Sequence, residues 1–122
     1  MPRPLVVGNG RLLITFDDDY AMRDLYYPHV GMLNQLCGHP NPLGVWADGA
    51  FSWVEQGPWR CSILYEDDTL ISAVTLTNDA LGLRIRAADG VHFRRDLYMK
   101  RVVVENLTDH QREVRLFFPH DF

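Results

Sequence analysis

Two runs of acidic residues are the first candidates for chemistry in this sequence. Residues 17–19 are three aspartates, and residues 66–68 read Glu-Asp-Asp. Two carboxyl groups can hydrolyse a glycosidic bond when they lie about 5 to 5.5 Å apart for retention, or about 6.5 to 9.5 Å apart for inversion. Both runs, however, follow strand-like segments, and aspartate favours turns because its side chain bonds nearby backbone amides. The sequence therefore predicts two acidic turns, and no catalytic residue is assigned.

A group of histidine and cysteine side chains is the second candidate. His29, Cys37 and His39 fall within one irregular segment, and zinc takes imidazole and thiolate ligands. Their spacing matches no finger or catalytic zinc pattern, and a fourth ligand is not evident. A thiol nucleophile with an imidazole base is also conceivable, but the sequence places no Asn or Asp to orient the ring. The preferred interpretation is a loop without a metal or cofactor, whose polar side chains bond to the backbone or pack against the rim of the sandwich.

Aromatic side chains between residues 26 and 59 offer faces on which sugar rings could stack. They are Tyr26, Tyr27, Trp46, Trp53 and Trp59. Large aromatic residues are also common in cores, because each can bury about 150 to 250 Å². Trp53 alternates in phase with Phe51, which favours a core position for Trp53. Tyr27 and Trp46 border the irregular segment and remain candidates for ligand contact.

Length and composition limit the classes of protein to which these residues can belong. The chain has 122 residues, so it holds at most one domain. Apolar residues make up 47% and charged residues 23%, which is typical of chains that bury a core. The net charge of -4 argues against nucleic acid or anionic lipid as a partner.

Neither a membrane span nor a secretory signal is expected. The longest stretch without a charged side chain covers residues 25–47, but three prolines and three glycines interrupt it. The first residues lack the apolar segment of a signal peptide. A cytoplasmic location follows. Cys37 and Cys61 are expected to be reduced thiols, because two cysteines are too few for a disulfide framework.

Alternation of apolar and polar residues, broken by turn residues at short intervals, predicts an all-β fold. Three hairpins are predicted: residues 11–16 with 21–27, residues 45–46 with 51–54, and residues 59–65 with 69–77. The second contains Asp48-Gly49, a dipeptide that readily takes the positive φ angles of a tight turn.

The rest of the chain predicts further strands and one long loop. Asp89-Gly90 is expected to turn a strand beginning near Leu81 into a run over residues 91–106, with a bulge or bend near Arg95. Residues 111–118 form the last strand. Nine or ten strands in one layer would leave an apolar face in water, which predicts an antiparallel β-sandwich. Residues 28–43 form a loop of a length that is usually functional or disordered.

The chain also carries a series of short motifs in a fixed order. They are Gly8-Asn9-Gly10-Arg11-Leu12-Leu13, Leu25-Tyr26-Tyr27-Pro28, Gly31, Gly38-His39, Gly44-Val45-Trp46-Ala47-Asp48-Gly49, and the final residues 114–122. In these motifs the chain resembles the N-terminal domain of bacterial glycoside hydrolase family 15 enzymes, which are glucoamylase-like, glucodextranase-like and trehalase-like proteins. The resemblance implies a β-sandwich of the supersandwich type, of which residues 1–122 would be a part. In that family a catalytic barrel of paired helices follows the sandwich.

The resemblance implies a role in hydrolysis of α-glucosidic linkages, by an inverting mechanism whose two carboxylates lie in the helical barrel. Nothing in this sequence resembles that barrel, so the chain alone is expected to be inactive. Its expected role is structural and substrate-positioning, with a carbohydrate and the catalytic barrel as partners. Substrate contacts are expected from Tyr27, His29, Asn34, His39 and Trp46. Family members commonly carry Glu-Asn-His where this sequence has Leu33-Asn34-Gln35, which removes a charge and a titratable ring from the loop.

Two further expectations accompany this interpretation. The alternative function is a stand-alone carbohydrate-binding module that uses exposed aromatic residues. If the sandwich is only part of the family domain, strand edges and an apolar face are exposed, and the chain is expected to self-associate through them.

Overall fold

A computed structural model of the chain describes residues 3–120, which form ten strands and no helix. The strands are β1 (Leu5–Gly8), β2 (Leu13–Phe16), β3 (Met22–Tyr26), β4 (Gly44–Ala47), β5 (Ala50–Trp53), β6 (Arg60–Tyr65), β7 (Ser72–Asn78), β8 (Leu83–Val91), β9 (Tyr98–Asn106) and β10 (Val114–Phe117). They are arranged as three antiparallel sheets in a sandwich-like, all-β fold, which confirms the predicted fold class. Residues 3–120 include no helix long and apolar enough to cross a membrane.

The three sheets combine local hairpins with one long-range pairing. Their strand orders are β1-β2-β3, β10-β4-β5 and β6-β7-β8-β9. In the second sheet β10 returns from the end of the chain to pair with β4, with Val114 opposite Ala47. The first and third sheets are joined where the Val6 amide donates to the Tyr65 hydroxyl oxygen at 2.7 Å.

Alternate side chains from all three sheets form one apolar core. Fully buried members include Leu5, Val7, Ile14, Val45, Val74, Leu76, Leu83 and Ile85. The long loop over residues 28–43 contributes Leu36, which is 1% exposed, to the same cluster. The loop is therefore fastened to the sandwich by burial of its own apolar side chain.

The predicted hairpins are confirmed, with strand ends shifted by a few residues. β4 and β5 meet at Asp48-Gly49, whose φ angles of 51° and 80° are those of a tight mirror-image turn. β2 pairs with β3 and β6 pairs with β7, each across an acidic turn. β1, which precedes the Gly8-Asn9-Gly10 turn, was not predicted from the sequence.

The predicted turn at Asp89-Gly90 is wrong. β8 runs straight through both residues to Val91, and the chain turns instead over residues 92–97. The register between β8 and β9 is continuous, so no bulge lies in β9, and the bend near Arg95 is the turn itself. Asp89 can occupy a central strand because side chains distant in sequence donate hydrogen bonds to its carboxylate.

Candidate functional site

The long loop over residues 28–43 is held against β3 by one amide side chain. Asn34 Oδ1 accepts hydrogen bonds from the backbone amides of Leu25 and Leu36, each at 3.0 Å. Asn34 Nδ2 donates to Asp24 Oδ1 at 2.9 Å. These bonds and the burial of Leu36 give the loop a defined conformation. Asn34 thus fixes the conformation of the loop.

A three-residue polar network joins the end of β3 to the β8–β9 turn. Arg11 Nε donates to Asp96 Oδ1 at 2.8 Å, and the Tyr27 hydroxyl donates to Asp96 Oδ2 at 3.0 Å. The hydrogen bond from Arg11 lowers the pKa of Asp96, and the hydrogen bond to Asp96 raises the pKa of Tyr27. At neutral pH Asp96 is therefore a carboxylate and Tyr27 a neutral phenol.

The turn at residues 8–11 adds further bonds to the same network. Asn9 Nδ2 donates to the carbonyl oxygens of His92 at 2.9 Å and Arg95 at 3.0 Å. Arg11 Nη2 donates to the carbonyl oxygen of Arg94 at 3.1 Å. Segments from three separate parts of the chain are thereby fixed to one another at this end of the sandwich.

These segments surround a shallow pocket of about 470 Å³. Its lining residues are Leu12, Leu25, Tyr27, Gln35 and Asp96. Tyr27 is 43% exposed, and the adjoining loop exposes Val30, Met32 and Leu33 to 56%, 51% and 73%. We call the pocket residues and these three loop residues the end surface. It combines an aromatic ring, a carboxylate, an amide and apolar side chains, which is a composition suited to binding a sugar or another protein surface.

Of the predicted site residues, only Tyr27 belongs to the end surface. His29 and His39 are exposed in the long loop, His29 two residues after Tyr27. Trp46 lies on β4 in the second sheet, where the Arg115 guanidinium is 5.1 Å from its ring centroid. His29, Asn34 and His39 thus share the long loop that follows Tyr27, and Trp46 belongs to a different surface.

Sequence reasoning missed three residues of this site. Arg11, Gln35 and Asp96 complete the end surface and its supporting network. Asp96 lies in the run over residues 91–106 that the sequence predicts as a strand with a bulge or bend near Arg95, and its contact with Tyr27 spans 69 positions. No local pattern signals such a contact. Gln35 could have been found from its position beside Asn34 in the long loop.

The outer face of the second sheet carries a second exposed group of aromatic side chains. Phe51 stacks edge-on against Trp53 with ring centroids 4.9 Å apart, and against Phe117 at 5.6 Å. Gly44 makes room for them, since a Cβ there would lie 2.7 Å from Phe51 Cζ and 2.9 Å from Trp53 Cζ3. Phe51 is 46% exposed and Phe117 44%. The expectation that Trp53 shares a core face with Phe51 is therefore wrong, and we call Trp46, Phe51, Trp53 and Phe117 the aromatic face.

A buried ionic network lies between β7, β8 and β9. Asp89 is fully buried and accepts hydrogen bonds from the hydroxyls of Tyr20, Tyr98 and Ser72, the last at 2.9 Å. Lys100 Nζ lies 2.9 Å from Asp89 Oδ1. Burial raises the pKa of both tyrosines, helped by Asp89, and lowers the pKa of Lys100, which Asp89 partly offsets.

This network resembles an acid–base cluster in composition but has no room for a substrate. The adjoining cavity, lined in part by Phe16, Tyr20, Tyr98 and Lys100, measures about 30 Å³. That volume corresponds to about one water molecule. The network therefore fixes the register of β8 and β9, and we assign it no role in binding.

The structure places the first acidic run in a turn and leaves both cysteines without a disulfide bond. Asp17 Oδ1 accepts from the amides of Asp19 and Ala21 at 2.9 and 3.0 Å, which confirms the first acidic turn. Cys37 and Cys61 are both free, and burial raises the pKa of Cys61 to about 11. Within residues 3–120 no group of three or more His, Cys, Asp or Glu side chains could hold a metal ion.

Comparisons with protein families, with curated proteins and with solved structures find no match to the chain.

Proposed function

We propose that the chain is a non-catalytic β-sandwich portion of a glucoamylase-like glycoside hydrolase that acts on α-glucosidic linkages. Its end surface packs against the catalytic helical barrel and presents Tyr27 to the sugar. The observation that carries the proposal is the exposed, preorganised end surface. An ordered loop that keeps Val30, Met32 and Leu33 in solvent has the character of a surface that another molecule covers.

The chemistry of the pocket supports a sugar as the ligand. The Tyr27 ring offers an apolar face, and the Asp96 carboxylate beside it accepts hydrogen bonds from hydroxyl groups. Gln35 adds a side chain that both donates and accepts. Arg11 and Tyr27 already hold Asp96 in place, so little ordering of the pocket is needed when a ligand binds.

A titration of the purified chain tests the proposal. Maltose, longer malto-oligosaccharides and trehalose are added while heat of binding and free glucose are measured in the same samples. We expect saturable binding to at least one sugar and no glucose release. Release that scales with protein concentration would show that the chain is itself a glycosidase, and absence of all binding would remove the substrate-positioning role.

A stand-alone carbohydrate-binding module is the second candidate, and the aromatic face favours it. Half-exposed rings of Phe51 and Phe117 beside Trp46 form a platform on which a glucan chain could stack. This candidate predicts that tryptophan fluorescence changes on binding and that Phe51→Ala abolishes the change. Sugar binding that leaves tryptophan fluorescence constant instead favours the end surface, which contains no tryptophan.

A further inference from the structure

β9 has one unpaired edge along its whole length. It pairs with β8 in a continuous register from Val91 opposite Tyr98 to Leu83 opposite Asn106. No other strand of residues 3–120 pairs with its second edge. β9 contains neither proline nor a bulge, which are two common devices that prevent an edge from adding another strand. Its backbone donors and acceptors on that side are open to a further strand.

The side chains of β9 are complementary to those of a second, antiparallel copy of β9. A two-fold axis perpendicular to the sheet leaves every side chain on its original face of the sheet. Residues directly opposite each other in an antiparallel pair also point to the same face, so the axis must lie between one residue and its own copy. With the axis at Val103, that residue faces its own copy. Arg101 then faces Glu105 of the second copy, and Met99 faces Leu107, the residue that follows β9. Every pair on this face joins opposite charges or two apolar side chains.

The neighbouring registers lack this match. An axis at Val102 sets Arg101 opposite Val103 and Met99 opposite Glu105. An axis at Val104 sets Val103 opposite Glu105. Each of these two registers sets a charged side chain directly opposite an apolar one, so the stabilisation that a matched cross-strand pair provides is lost. The sequence of β9 thus selects a single register among the three.

Exposure of β9 agrees with a missing neighbour at this edge. Met99, Val103 and Leu107 are 46%, 41% and 42% exposed. Val104 lies on the same face as the buried Ile85 opposite it, yet is 37% exposed. In the Val103 register, Val102 of the second copy stands opposite Val104 and covers it.

Charge on the outer face also fits this arrangement. Glu105 binds Arg84 at 3.1 Å and Arg86 in its own chain, whereas Arg101 has no ion-pair partner within residues 3–120. The second copy brings a carboxylate to each Arg101. A carboxylate offers about four acceptor positions, so Glu105 can accept a third guanidinium.

We propose that the chain forms a two-fold symmetric dimer by antiparallel pairing of β9 with β9, centred on Val103. The partner is a second copy of this chain. The two third sheets then become one continuous eight-stranded sheet across the dimer, since each contributes four strands.

Sedimentation velocity over a range of concentrations tests this dimer in the full chain. We expect a reversible monomer–dimer equilibrium. Val103→Lys places two like charges face to face at the axis and should weaken dimerisation at least about tenfold. Arg101→Glu sets two carboxylates opposite each other and should weaken it as well. Leu64→Lys on β6, the other edge of the same sheet, is the matched control and should leave the equilibrium unchanged.

The register is tested by cross-linking, with Cys37→Ser in the background to remove the exposed native thiol. V103C should give a disulfide-linked dimer on mild oxidation, because the two substituted side chains meet at the axis. L64C should not. A monomer at all concentrations, a dimer insensitive to Val103→Lys, or equal cross-linking of L64C would each overturn the proposal. Circular dichroism of every variant confirms that the fold is retained.

Discussion

At the scale of single residues, Tyr27 is the side chain on which the sugar-positioning role depends most. Its hydroxyl is engaged by Asp96, and its ring remains 43% exposed at the edge of the pocket. We expect Tyr27→Ala to weaken malto-oligosaccharide binding by about tenfold, because the stacking face is lost. Tyr27→Phe keeps that face and should bind within about twofold of the parent chain. Equal binding by all three proteins in calorimetry would place the sugar elsewhere.

Asp89 is the residue whose loss should damage the fold most. Asp89→Asn leaves the Lys100 ammonium, only 19% exposed, without its carboxylate. Removing one partner of a buried ion pair costs about 3 to 5 kcal/mol of stability. We therefore expect the free energy of unfolding, measured in urea, to fall by that amount. Asp67→Asn in an exposed turn is the control and should change stability by less than about 0.5 kcal/mol. Similar losses for the two variants would contradict the structural role of the network.

The same network should make the fold sensitive to alkali. Tyr20 and Tyr98 have folded pKa values above their unfolded value of about 10, so their contribution to stability is complete below that pH and is lost above it. Lys100 has the opposite effect, because its folded pKa lies below its unfolded value of about 10.4. Its deprotonation in the folded state therefore increases stability as the pH rises toward that unfolded value. The stability lost by ionising the two tyrosines exceeds the stability gained from the one lysine. Melting temperature should therefore fall steeply above about pH 10.5, and a flat profile there would contradict the buried state of the two phenols.

At the scale of elements, the long loop depends on Asn34 for its conformation. Asn34→Ala removes the one oxygen that accepts hydrogen bonds from the amides of Leu25 and Leu36. We expect the free energy of unfolding to fall by about 1 to 3 kcal/mol. Hydrogen exchange of the Leu36 amide should accelerate more than that of amides in β8. His39→Ala, in the exposed part of the loop, serves as the control. Unchanged exchange at Leu36 in Asn34→Ala would show that burial of Leu36 alone fixes the loop.

Two Asp-Gly dipeptides show how far local sequence decides an element. Asp48-Gly49 forms the predicted turn, since short strands on both sides pair with each other there. Asp89-Gly90 continues a strand, because Ser72, Tyr98 and Lys100 provide the carboxylate with partners. Those partners lie on two other strands, β7 and β9. A turn preference of a dipeptide is weaker than such a set of tertiary contacts, and only the structure reveals them.

At the scale of the whole molecule, alternation predicted the all-β fold but not the division into three sheets. That division depends on the pairing of β10 with β4, which no local signal marks. The candidate site shows the same limit. Tyr27 is predictable because it borders an irregular segment, whereas its partner Asp96 comes from a turn where the sequence predicts a strand. Of the aromatic face only Trp46 was predicted as a binding residue, because Phe51 and Trp53 alternate as core residues do.

The most direct test of the proposed function is to map where a malto-oligosaccharide contacts the intact chain. Backbone amide chemical shifts are followed by NMR while maltoheptaose is added, and free glucose is assayed in the same tube. We predict shifts that concentrate at Tyr27, Gln35 and Asp96, with no glucose formed. Shifts confined to Trp46, Phe51 and Phe117 would instead identify a binding module. No shifts at any amide, or release of glucose, would contradict the account of a non-catalytic, sugar-positioning sandwich.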